Sequence, residues 1–321
     1  AGLLRPDRSR VRGADRRAHG LLGQVAGGKG PKLKHFDHFA VVDWSGQAVA
    51  RPKGLVLAYA GRDNRPPILL HPENGWSRQS LTDWLAAHGK ARTRILIGLD
   101  LSPALPFTDE QAYFPGWDGS PPDAFSLWKL VDQHAKDDEH LSVSSLLLHE
   151  EIRRHFRQLG DCGDRFGVGR GRLRQCEICQ AEMGLSPYSC FNLVGAAQVG
   201  KSSLTGMRCL NRLRGIVPVW PFDPIPDEGP LIVEIYTALA AREAGIPAGR
   251  SKMRNAEALD TALDKLGVSK HQKLKRYDDH ATDAMLTAAW LRIAAERERL
   301  WQPVKLTPEI ARTEGWTFGV Y

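Results

Sequence analysis

After residue 35 the chain opens with three short apolar runs joined by turns, then an amphipathic helix, then a fourth apolar run. This order restricts the fold more than any other feature of the sequence. "HFAVVDWSG" (38–46), "GLVLAYAG" (54–61) and "PPILLHP" (66–72) read as strands, each bounded by Gly, Pro or Asn. "SRQSLTDWLAAHGK" (77–90) places Leu81, Trp84, Leu85 and His88 at helical spacing behind a Ser77 or Ser80 cap. "RILIGLDLSP" (94–103) is a fourth strand, ended by Pro103. Strands joined by such short turns predict a mixed sheet in which the second strand runs antiparallel between its neighbours.

The segment from 104 to about 195 is less regular and reads as a helical insertion into this domain. It holds a Pro/Gly/aromatic loop, predicted helices at 123–136 and 142–158, and the Gly/Arg-rich connection "GDRFGVGRGRLRQ". Beyond it, "GPLIVEIYTALAAREAG" (229–245) predicts a strand then a helix, "NAEALDTALDKLG" (255–267) a helix, and "YDDHATDAMLTAAWLRIAAERERL" (277–300) one long helix.

The chain has 321 residues, of which 42% are apolar and 25% charged, an ordinary globular balance. No apolar run approaches the about eighteen residues of a membrane span. Five scattered cysteines make no disulfide framework, which points to a reducing compartment, so a soluble, cytoplasmic protein is expected. The net charge of +7 lies wholly in residues 1–34, where nine Lys/Arg face Asp7 and Asp15. That stretch lacks apolar periodicity and reads as a disordered basic arm ahead of a single domain at 35–321. An organelle transit segment is the alternative, weakened by the two aspartates and a single serine. The chain opens at Ala1 without an initiator Met, which leaves the natural start open.

Four acidic residues stand among apolar neighbours at places where side chains emerge from a core. Asp43 ends the first strand, Asp100 ends the fourth, Glu234 lies in the strand at 231–236, and Asp283 sits in the first turns of the last long helix. Each alone reads as readily as a cap or a paired core charge. If they converge, two carboxylates about 4 Å apart repel by roughly 4 kcal/mol at an effective dielectric of 20. Mg²⁺ or Mn²⁺ would offset that charge and activate a water opposite a phosphodiester. A spacing of three also puts His280 on the helix face of Asp283.

The stretches "VVDWSG", "IGLDLS", "VGKSSLTGM", "IVEIYTALAAREAG", "DDHATDAMLTAAWLR" and "EGWTFGV" resemble the predicted ribonuclease-H-like nucleases of domain-of-unknown-function family 429, over about residues 36–321. "HATDAMLTAA" is similar to the last helix of Holliday-junction resolvases of the RuvC type, where an acidic or His residue precedes an Asp by three positions. The resemblance implies a ribonuclease-H-like mixed sheet flanked by helices and a metal-dependent nuclease acting on DNA or RNA. Asp43, Asp100 and Asp283 would then be ligands of Mg²⁺ or Mn²⁺, Glu234 a fourth ligand or water positioner, and His280 a ligand or proton shuttle, with Asp279 as the alternative to Asp283. Two other functions stay open: an actin-like ATP-dependent phosphotransferase, which shares the sheet and its strand-end Asp, and a non-catalytic binding module on the same fold.

Gly195 to Ser202 also matches the phosphate-cradling pattern G-x-x-x-x-G-K-[ST], with Cys190 to Val194 as the candidate strand before it. No convincing second nucleotide motif follows, so Lys201 is expected in a structural turn or against a substrate phosphate. Cys176 and Cys179 form one C-x-x-C pair without a second, which favours core or surface cysteines over zinc. Two basic clusters are candidates for phosphate contact or plain solvated surface: Arg165, Arg170, Arg172 and Arg174, and Lys270, Lys273, Lys275 and Arg276. The second adjoins His280 and Asp283, so Lys273, Lys275 and Arg276 join Lys201 as candidate substrate-phosphate contacts. Oligomeric state is not legible.

Overall fold

A computed structural model describes residues 36–195, 199–247 and 252–321. The expected basic arm, residues 1–34, lies outside the described residues. Leu33–Tyr321 forms one compact unit.

The opening strands are β1 (His38–Asp43), β2 (Val56–Gly61) and β3 (Ile68–Leu70), followed by α1 (Arg78–Lys90) and β4 (Ile95–Asp100). Two further strands, β7 (Val219–Trp220) and β8 (Leu231–Glu234), complete a six-stranded sheet in the order β3-β2-β1-β4-β8-β7; a separate small hairpin pairs β5 (Arg157–Gln158) with β6 (Asp161–Cys162). β2 pairs antiparallel with β1 and β3, whereas β1, β4, β8 and β7 run parallel. The strand at the edge is only three residues long because Pro66 and Pro67 precede it and have no N–H to give a ladder.

Helices cover both faces. On one lie α6 (Thr237–Glu243), α7 (Ala256–Lys265) and α8 (Asp279–Ala294), whose apolar sides join Val41, Leu96 and Val233 in one core. On the other, α1, α2 (Ala124–His134) and α5 (Val199–Leu213) pack over Val42, Ile97 and Ile232. Period-two alternation along each central strand divides the two cores cleanly. α1 begins at Ser77, whose hydroxyl accepts from Ser80 N at 3.0 Å while the Ser80 hydroxyl accepts from Ser77 N at 3.0 Å, a reciprocal cap.

Two expected helices are divided. The span 142–158 forms a 3₁₀ turn at Leu146–Leu148, a four-residue helix α3 (Glu150–Arg153) and then β5. His149 is extended and caps α3 through Nδ1, so the apolar run stops there, and Val143, Leu146, Ile152 and Phe156 reach the core from separate turns. The span 277–300 ends as α8 at Ala294 and restarts as α9 (Glu298–Trp301). Trp301 folds back so that its indole N–H donates to the Ala295 carbonyl at 2.9 Å. Two more helices, α4 (Gln175–Glu182) and α10 (Pro308–Thr313), buttress the insertion and the C-terminal segment. Among the described residues no helix is long and apolar enough to cross a membrane.

The insertion contains one acid-sensitive contact. His155 is buried against Phe114 and Phe191, and neither ring nitrogen has a hydrogen-bond partner among the described residues. Burial first, then the charges of Arg172, Arg165 and Arg154, holds the imidazole neutral down to about 4. The unfolded chain takes up that proton near the ordinary 6.5, so stability present above that value falls as pH drops toward about 4. Thermal melts of His155→Phe across this interval are expected to show a flatter loss of Tm than the parent; an identical pH slope would show that His155 does not carry it.

Candidate active site

β1 and β4 lie side by side with Asp43 directly opposite Asp100. Paired residues of parallel strands share a face, and adjacent strands are about 4.8 Å apart, so both carboxyls leave the C-terminal edge of the sheet together. α8 crosses that same face over β1 and β2, which brings its first turns to the strand ends. Its N-terminus is fixed by Asp278, whose carboxylate accepts from Ala281 N at 3.0 Å. His280 Nδ1 then meets Asp43 Oδ2 at 2.8 Å, and Asp283 follows one turn on. Gly54 makes room for this imidazole, since a Cβ there would lie 2.9 Å from His280 Cε1.

The electrostatics mark a shared site. Asp283 is pushed up to about 7, by burial first and then by the charges of Asp43 and Asp279. Asp100 is held well above the ordinary carboxyl range by burial, with Asp43, Asp283 and Glu234 adding to it. Burial also raises Asp43, against the His280 hydrogen bond, and that bond raises His280. Burial and mutual repulsion thus act together against full ionisation of Asp43, Asp100 and Asp283, and a cation beside them would favour it. Their hard oxygen donors and unmet charge suit Mg²⁺ or Mn²⁺. As the side chains stand, no three His, Cys, Asp or Glu among the described residues are grouped to hold an ion, and one Asp43 oxygen is taken by His280. Asp279 is turned away, to Lys252 at 3.1 Å and Arg254 at 3.0 Å.

Glu234 lines a small cavity with Asp100 and adds its charge there, but its carboxylate is committed to other partners. It pairs with Leu99 in the sheet, so it points to the opposite face from Asp100. There it takes both Arg174 nitrogens, at 2.8 and 2.6 Å, and the Thr317 hydroxyl at 2.8 Å, all buried. Arg174 also holds Glu177 at 3.0 Å, so Glu234 is a strut between β8, α4 and the C-terminal segment. Arg174 belongs to the Arg-rich cluster considered above for phosphate contact, and nothing local marks it as an interior residue. Arg172 in the same cluster pairs with Asp109 and donates to the Tyr113, Pro106 and Ala112 carbonyls. Arg165 donates to the Pro115 carbonyl.

The phosphate-loop pattern also serves packing where it is described. Residues 190–194 form no strand, and the three residues 196–198 lie outside the described residues. Gly200 N donates to the Asn192 carbonyl, and a Cβ on Gly200 would sit 2.2 Å from the Cys190 carbonyl oxygen. Gly46 similarly lets the loop after Asp43 lie against the Lys201–Ser202 backbone. Lys201 is thereby brought beside the segment that follows Asp43. Cys176 and Cys179 are buried in α4, and all five cysteines are free.

Lys273, Lys275 and Arg276 wall a cavity of about 920 Å³ together with Lys53 and Arg65, over a floor that includes Tyr59 and Leu69. Asp278 and Ala281 also line it, so it reaches the first turn of α8 beside His280. A chain of hydrogen bonds fixes the basic wall: His271 meets Asp260 at 2.6 Å and the Tyr277 hydroxyl at 2.9 Å, and that hydroxyl accepts from Leu274 N at 3.1 Å.

Compared with protein-family models, curated proteins and solved structures, the chain matches none.

The burial of Asp283, with the charges of Asp43 and Asp279 beside it, makes a stability prediction for the metal-free protein. A carboxyl whose folded value is raised costs stability above that value, and the cost is relieved as pH falls from about 7 toward the ordinary 3.8. Asp283→Asn is therefore expected to melt a few degrees above the parent in EDTA at mildly alkaline pH, with the gap closing on acidification. An unchanged or lower Tm at alkaline pH would remove the crowded-carboxylate description.

Proposed function

We propose that this chain is a ribonuclease-H-like, metal-dependent nuclease that hydrolyses phosphodiester bonds in DNA or RNA. One observation carries it: Asp43 and Asp100 stand in register on neighbouring parallel strands, under the helix turn that delivers His280 and Asp283. The resemblance to domain-of-unknown-function family 429 and the basic cavity leading to that turn support the same reading. The six-stranded order, with three antiparallel strands followed by parallel ones, is compatible with a ribonuclease-H-like sheet.

Asp43, Asp100 and Asp283 would hold the Mg²⁺ or Mn²⁺, which supplies charge neutralisation at the phosphate and a more acidic water. The chain's own groups do the rest. Lys273, Lys275 and Arg276 bind backbone phosphates along the cavity wall and set the strand's approach. Lys201, beside the loop after Asp43, would contact a phosphate there. Asp43 fixes the His280 ring through Nδ1 and keeps it cationic to higher pH, which leaves Nε2 to hold a proton for the leaving oxygen. Glu234 acts at a distance, by holding β8 and α4 in place through Arg174.

Cleavage of labelled single-stranded, duplex and hybrid substrates in Mg²⁺, Mn²⁺ or EDTA tests this directly. Asp43→Asn and Asp283→Asn are expected to fold and to lose activity by orders of magnitude. His280→Ala should lose about 10²-fold or more, the usual worth of a positioned acid or base. Asp279→Asn should stay active. Full cleavage by both Asp43→Asn and Asp283→Asn would end the nuclease reading.

A further inference from the structure

A second cavity, of about 330 Å³, opens on the opposite face of the sheet from the carboxyl cluster, at the start of α1. We propose that it is a binding site for a phosphate group, taken as a phosphate monoester or free phosphate. Its walls carry Arg51, Arg78, Lys136, Arg208 and Arg212, with Asp138 as the acid among its lining residues. Asp138 is turned to Ser145, accepting from its N–H at 2.9 Å and from its hydroxyl. Asp132, just outside, pairs with Arg208 at 3.0 Å and Arg212 at 3.6 Å. Even with both acids counted, the positive charge is in excess.

Arg78 is the informative residue. Arg78 is 1% exposed, yet among the described residues its bonds run to backbone carbonyls and to no carboxylate. Nε donates to the His140 carbonyl at 2.8 Å, and Nη1 to the Ser45 and Gln47 carbonyls at 2.8 and 2.9 Å. Nη2 has no partner among the described residues. A buried guanidinium without a counter-charge is unfavourable, and the fold places a second buried arginine, Arg208, in the same wall. Burial and the Arg208 charge push Arg78 down to about 10. The N-terminus of α1, a helix of thirteen residues, adds its positive end. Tetrahedral oxyanions with two charges suit several arginine forks better than a single carboxylate does.

The site does not depend on the nuclease reading. It does adjoin the loop after Asp43, because Arg78 holds the carbonyls of Ser45 and Gln47, two and four residues beyond it. The deep arginines are poor test positions, since removing either strips several carbonyls of their donors. Lys136 and Arg212 stand at the exposed rim and are suited to substitution.

Calorimetry and thermal shift on the full chain with inorganic phosphate, against chloride at equal ionic strength, test the proposal. Phosphate but not chloride is expected to bind and to raise Tm. Arg212→Ala and Lys136→Ala should each weaken binding by up to about tenfold, the scale of one charge-assisted hydrogen bond. Lys265→Ala, an exposed position on α7 outside both cavities, should leave it unchanged. A nucleoside monophosphate and an oligonucleotide with or without a 5′-phosphate separate the sources: preference for the 5′-phosphorylated strand identifies a nucleic-acid end, and equal binding of the small phosphates alone identifies a metabolite. Absence of binding at millimolar phosphate, or binding untouched by both rim substitutions, would overturn the site.

Discussion

The in-register parallel pairing of β1 with β4 is the constraint on which the carboxyl cluster depends. It sets Asp43 against Asp100 at the edge where both strands stop, and α8 then lies across the same face because its small residues, among them Ala281, Ala284 and Ala288, let it approach β1 and β2 closely. A slip of one residue in that pairing would send one carboxyl to the other core. The cost of crowding charges is carried by the apolar strands beneath them, whose Val41, Ile97 and Leu99 are almost wholly excluded from solvent.

Arginine does much of the internal fastening. Arg174 joins Glu177 and Glu234, Arg208 reaches Asp132 and the Ser142 carbonyl, and Arg78 ties α1 to the loop after β1. The planar guanidinium can satisfy several carbonyls and a carboxylate at once, which suits an insertion that has little regular sheet of its own. Breaking such a buried pair from one side costs more than the pair gains in total, about 3–5 kcal/mol in comparable cases.

The strands and most helices were legible from period and punctuation: β1, β2, β4, α1, α2, α7 and the start of α8 fall where alternation, caps and prolines place them. The two spans expected as single helices fail for a reason outside local propensity, since His149 and Trp301 each intercept backbone groups the helix needed. The phosphate-loop string was legible as a pattern and uninformative as chemistry, because close backbone packing at Gly200 calls for the same glycine that a phosphate cradle would.

By itself the sequence determined the mixed α/β character, the alternation that gives each strand two faces, and the positions of Asp43, Asp100 and Asp283 at the ends of elements, because those follow from side-chain period and turn chemistry within a few residues. Tertiary structure alone decided which acids meet. Asp43 and His280 are 237 positions apart and touch, while Glu234, equally acidic and equally flanked by apolar residues, is turned to the other face and taken by Arg174. Register between strands and the partner across a core are set by packing between distant segments, and no window of the chain contains that information.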